Sequence, residues 1–87
     1  MNLIVNVGYG NMVNSGKVVG IIKPDAAPVK RMIQTAKDTG KAIDATCGRK
    51  TKSVIVLDDD LLMLSALLPE TIASRINNES YRGESNE

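Results

Sequence analysis

The sequence contains no histidine, tryptophan or phenylalanine. Two tyrosines are its only aromatic residues, and Cys47 is its only cysteine. Each absence excludes some chemistry. Without histidine the chain lacks the commonest general base and the commonest metal ligand. A single cysteine can make neither an internal disulfide nor a thiolate metal cluster. As a nucleophile Cys47 would need a base to take its proton, and its neighbours Arg49 and Lys50 offer none. No apolar run approaches the roughly 18 residues of a membrane span, and no signal peptide is evident. The expected setting is a reducing cytoplasm, with no cofactor, no metal, no membrane partner and no catalytic role.

With so few large side chains, the core must come from Val, Ile, Leu, Met and Ala. Each of the larger of these contributes about 1.5–3 kcal/mol when buried. A chain of 87 residues buries only about 60% of its unfolded surface, so a monomer would be marginally stable. Small size without disulfides points to self-assembly as the further source of stability.

What the chain does have is charge, unevenly placed. Residues 17–52 hold nine Lys/Arg against three Asp, whereas residues 53–87 hold two Arg against seven acids. An anion-binding part and an acidic part are one consequence; interleaving of the two in the fold is the other.

Along the chain, Leu3–Val7 reads as a strand ended by a tight turn or bulge at Gly8-Tyr9-Gly10-Asn11. That segment lacks the third glycine or Gly-Lys-Ser/Thr of a phosphate loop. Asn14-Ser15-Gly16 is a second turn, followed at once by Lys17, and Val18–Lys23 is a buried strand. Pro24-Asp25 opens a helix that Asp25 can cap, with Pro28 in its first turn. Val29, Met32, Ile33 and Ala36 form its apolar stripe, Lys30 and Arg31 lie off it, and Gly40 ends it. Ala42–Ala45 and Ser53–Leu57 are strands on either side of a basic turn. Asp58-Asp59-Asp60 reads as a hairpin turn, since it lacks the spacing of a calcium loop. Leu61–Leu67 is a strand covered on both faces. Pro69 and Glu70 start a last helix, with Ile72, Ala73 and Ile76 inside.

The order β-β-α-β-β-β-α with short connections gives an α+β class: one layer of small mixed or antiparallel sheet and two helices. A single domain over 1–78 is expected, followed by a polar, acidic and disordered tail at 79–87.

The basic turn carries Arg49, Lys50 and Lys52 within four residues, with no acid nearer than Asp44. It must lie at the surface. Arginine clamps phosphate through paired hydrogen bonds and lysine adds a compact charge. One copy supplies about two to three phosphate contacts, too few for useful affinity at physiological salt. Repetition around an oligomer, with Lys17 beside the turn, multiplies them. Lys30 and Arg31 are secondary candidates.

The chain resembles the RemA-like regulators of extracellular-matrix (biofilm) genes in Gram-positive bacteria. The likeness covers about Leu3 to Ala73. It rests on Asn6-Val-Gly-Tyr-Gly-Asn11, Pro28-Val-Lys-Arg-Met-Ile-Gln34, Ile43-Asp-Ala-Thr46 followed by Gly48-Arg49, and Leu64-Ser-Ala66 with Pro69-Glu-Thr71. The resemblance implies a cytoplasmic activator that binds double-stranded DNA as a ring-like homo-oligomer of LytTR-like subunits. It implies DNA contact at Lys17, Arg49 and Lys50. Two departures stand out. Lysine replaces the family's arginine at 17 and 50, which keeps charge and loses the bidentate fork. Cys47 stands where a tyrosine is usual, removing a stacking group. A small-phospholigand module and a protein-recruiting scaffold ring are the alternative readings.

Overall fold

The computed structural model describes residues 4–85, with 79–85 as backbone only. Six strands and two helices follow in the order β1 (Ile4–Asn6), β2 (Met12–Asn14), β3 (Val18–Ile22), α1 (Ala27–Asp38), β4 (Ala42–Asp44), β5 (Ser53–Leu57), β6 (Leu62–Ser65) and α2 (Pro69–Ser85). The class is α+β, as expected. It differs from the expectation in having two sheets and one more strand. The strands β1 and β2 pair antiparallel as a separate hairpin, with Val5 opposite Val13, and the other four strands run β3-β5-β6-β4. The strand β2 is three residues long, and only Val13 in it is buried. So short a run gives no alternation to read in the sequence.

The second correction concerns pairing. The strands β4 and β5 flank the basic segment but do not pair with each other. The strand β6 lies between them, antiparallel to β5 and parallel to β4. The connection of residues 45–52 is long enough to arch over the end of β6. At one foot Ala45 N donates to the Leu64 carbonyl, and at the other Lys52 N donates to the Ser65 carbonyl, each at 2.8 Å.

The central strands explain the long apolar runs. Along β5 and β6, Ile55, Leu57 and Met63 point to one face, where they pack with Val5, Val7 and Val13 of the hairpin segment and Ile72 of α2. Val54, Leu62 and Leu64 point to the other, against Ala36 of α1 with Val29 and Ile33 beside it. A strand covered on both sides loses alternation and reads as continuous hydrophobe. Ser65 ends β6 as a polar residue, as Ser53 begins β5. Ser65 is fully buried, donating to the Val7 carbonyl at 2.8 Å and accepting from Leu67 N at 3.0 Å. It thereby joins the two sheets.

The helix α1 starts without a side-chain cap. Its capping position is Ala26, so Asp25 does not cap it; Pro28 sits in the first turn, as expected. At its other end Gly40 N bonds to the Lys37 carbonyl and Lys41 N to the Ala36 carbonyl, the paired closure typical of a glycine-ended helix. Only Ala36 is buried on α1, and Met32 of the expected stripe is 41% exposed. The helix rests lightly on the rest of the chain. The backbone of α2 stays helical through Ser85, across most of the stretch expected as tail; residues 86–87 lie outside the described residues. No described helix is long and apolar enough to cross a membrane.

Candidate nucleic-acid interface

The arch is shaped by its own polar residues. The Asp44 carboxylate accepts from Thr46 N at 2.9 Å and from the Thr46 hydroxyl at 2.6 Å. The hydroxyl bond first, and the amide bond after it, hold the Asp44 carboxyl below its usual range. The Thr46 carbonyl then accepts from Arg49 N at 3.0 Å. Between them Cys47 and Gly48 have φ of 55° and 79°, the left-handed pair of a type I′ turn. This geometry thrusts Arg49, Lys50 and Lys52 outward, all exposed.

The Gly8-Tyr9-Gly10 turn docks against the arch. Val7 N bonds to the Asn11 carbonyl at 2.8 Å, closing the hairpin. Asn6 Oδ1 accepts from Gly8 N at 2.7 Å, and Asn11 Nδ2 reaches both the Gly8 and the Ala45 carbonyls. Gly8 has φ of 114°, and a Cβ there would lie 3.3 Å from Leu67 Cγ. The positive φ favours glycine, and any side chain would also have to displace Leu67 by a few tenths of an ångström. Tyr9, also left-handed at φ 53°, is half exposed and lies under the Arg49 guanidinium, whose carbon is 5.3 Å from the ring centroid. An aromatic ring beside Arg49 is therefore supplied by the hairpin.

Three of the basic positions, Lys17, Lys30 and Arg31, lie elsewhere. Lys17 is not beside the turn. The register sets Val18 opposite Leu57 and Ile22 opposite Val54, so Lys17 sits at the far end of β5 from the arch. At about 3.4 Å per residue the ends of β5 are roughly 14 Å apart. There Lys17 Nζ lies 3.9 Å from Asp58 Oδ2, with both side chains over half exposed. Asp58, Asp59 and Asp60 form a tight turn between β5 and β6, with Asp59 and Asp60 left-handed. Lys30 and Arg31 are exposed on α1, and Arg31 lines a separate groove with Met32, Lys41 and Asp60. Among the described residues no cluster of three or more His, Cys, Asp or Glu could hold a metal.

Two candidate residues escaped the sequence. Lys23, at the end of β3, shares a recess with Lys50 and Lys52; only the β3–β5 register could reveal it. Tyr9 was legible as a turn residue but not as the partner of Arg49, 40 positions away.

The molecule is thus a small α+β protein with an exposed cationic end built from a stacked arginine and several lysines. The family model for extracellular matrix regulatory protein A-like (RemA-like) proteins matches residues 4–76, and the chain belongs to that family. Among its relatives, "Extracellular matrix regulatory protein A" of Bacillus subtilis is 47% identical over 74 residues, 85% of this chain and 83% of the relative. A "Putative regulatory protein" of Lachnoclostridium phytofermentans is 60% identical over 77 residues, 88% and 85% of the two chains. Another of that name, from Alkaliphilus metalliredigens, is 47% identical over 85 residues, 97% and 91%. The family is one of regulatory proteins.

Proposed function

We propose that this protein is a non-catalytic, cytoplasmic DNA-binding regulator that activates extracellular-matrix genes. It works as a ring-like homo-oligomer of LytTR-like subunits, gripping double-stranded DNA through repeated cationic ends. The observation that carries the reading is the exposure of Arg49, Lys50 and Lys52 on one arch, with no counter-ion among the described residues. The name of the Bacillus subtilis relative supports the regulatory role. Backbone contact dominates because two of the three arch cations are lysines, which meet phosphate as point charges. Sequence preference then comes from DNA deformability, with bending or wrapping of the duplex.

Because Lys17 is at the other end of its subunit, it and the arch reach one duplex surface when they come from neighbouring copies. Lys30 and Arg31, off both ends, are secondary contacts at most.

A gel-shift series across salt concentrations tests the reading. Log K should fall steeply with log salt, and Arg49→Ala should flatten the slope by about one unit per engaged subunit. An unchanged slope removes the arch from the interface. A second reading, binding of a small phosphorylated ligand, is favoured by the recess of about 260 Å³ at the same end. Saturable calorimetric binding of a nucleotide or phosphosugar, with no duplex affinity, would decide for it.

A further inference from the structure

At the cationic end, two chain segments far apart in sequence meet. Lys23 leaves the end of β3, next to Ile22, which the register sets opposite Val54. Lys50 and Lys52 approach from the arch, just ahead of Ser53. The three lysines line one recess of about 260 Å³, with Leu68 and Pro69 at the start of α2 as its apolar wall. Asp25 lines it too, yet pairs with none of them: among the described residues the only ion pair is Lys17 with Asp58, at the other end. Three ammonium groups against one carboxylate leave the recess with a surplus of two positive charges. Like charges gathered in a concave, partly apolar site raise the local potential for an anion.

We propose that this recess is a phosphate subsite, in which Lys23 completes a cradle with Lys50 and Lys52. The inference rests on the reading of this end as an anion-binding surface, and adds to it a residue and a place. The arch arginine meets one phosphate from above the Tyr9 ring, while the recess receives another. The ligand chemistry is a phosphate mono- or diester, either in a DNA backbone or on a free phosphorylated molecule. Asp25 moderates the grip by opposing the three cations.

The test uses the full-length protein with a fluorescent duplex titrated at several salt concentrations, and calorimetry with inorganic phosphate and a nucleotide. Lys23→Ala should lower the slope of log K against log salt by about one unit per engaged subunit. Lys23→Arg should restore it, and Asp25→Asn should tighten binding. Lys41→Ala removes an exposed cation whose Nζ donates to the Asp59 carbonyl at the opposite end, and should change nothing. If Lys23→Ala keeps the wild-type slope while Arg49→Ala flattens it, the arch binds DNA and the recess does not, which overturns the subsite. If the duplex is not bound but phosphate or nucleotide is, in a Lys23-dependent way, the subsite stands and the DNA reading falls. If neither ligand binds, both fall.

Discussion

At the scale of single residues, Tyr9 combines a costly backbone conformation with a cation–π contact. A bulky side chain at φ 53° is strained where asparagine or glycine would be comfortable. What the tyrosine gains is the guanidinium above it. An exposed cation–π contact contributes about 0.5–1 kcal/mol, and it also fixes a side chain that would otherwise sample many rotamers. Tyr9→Phe should therefore leave DNA affinity near wild type. Tyr9→Asn should keep or raise the melting temperature yet weaken DNA binding roughly two- to fivefold per engaged subunit, the equivalent of that contact. Equal affinity in Tyr9→Asn and wild type would reduce the ring to a spacer. Asp44 offers a test by pH. Its folded carboxyl titrates below the unfolded value because Thr46 donates to the charged form. Its contribution to stability is therefore complete above the unfolded pKa and disappears as pH falls through the lower folded one. In a carbon-detected NMR titration, Thr46→Val should move the Asp44 midpoint upward. A midpoint that stays in place would mean another group holds it.

At the scale of elements, the sequence revealed which segments are strands and helices better than it revealed which of them touch. The apolar stretch 53–57 became a central strand, 61–67 yielded another that is confined to Leu62–Ser65, and the stripe on 29–36 became a helix, because periodicity and burial are local signals. Pairing is not local. The short spacing of β4 and β5 suggested a hairpin, whereas the arch carries the chain over β6 and leaves β4 at the parallel edge. Nothing within residues 45–52 announces that crossing; it is decided by β6, later in the chain. The same limit hid Lys23 from the arch lysines and placed Lys17 beside an arch it does not reach. Ser65 is where the two sheets depend on one atom. Its buried hydroxyl links the hairpin segment at Val7 to the chain leaving β6 at Leu67. Ser65→Ala would leave a buried carbonyl and a backbone N–H without that partner, at a cost of about 1–3 kcal/mol. Urea unfolding should show a lower midpoint with an unchanged m-value. A shift below a few tenths of a kcal/mol would mean that other groups take over both bonds.

At the scale of the whole molecule, the linear charge asymmetry survives folding in part, as a polarity along the strands, although Lys17 and Lys41 lie at the acidic end and Asp25 in the basic recess. Lys23, Arg49, Lys50 and Lys52 gather at one end of β3, β5 and β6, and Asp58, Asp59 and Asp60 at the other. Apolar surface is left over on other sides: Val19 is 68% exposed on the β3 edge, Ile4 and Met12 on the outer hairpin face, Met32 on α1 and Ile43 on the β4 edge. Scattered singly, such residues are ordinary. On a chain of 9.3 kDa with a thin aliphatic core and a nearly uncovered helix, they are what self-assembly would cover. In the proposed oligomer, assembly would also solve the affinity problem. Two or three phosphate contacts from one copy would bind weakly at physiological salt, whereas linked copies would share one duplex and gain through effective concentration. Light scattering should accordingly give a mass several times 9.3 kDa. Diluting the protein below its assembly threshold should abolish duplex binding more steeply than simple mass action on a single site allows. A particle that stays at the monomer mass and still binds DNA tightly would break the link between assembly and grip.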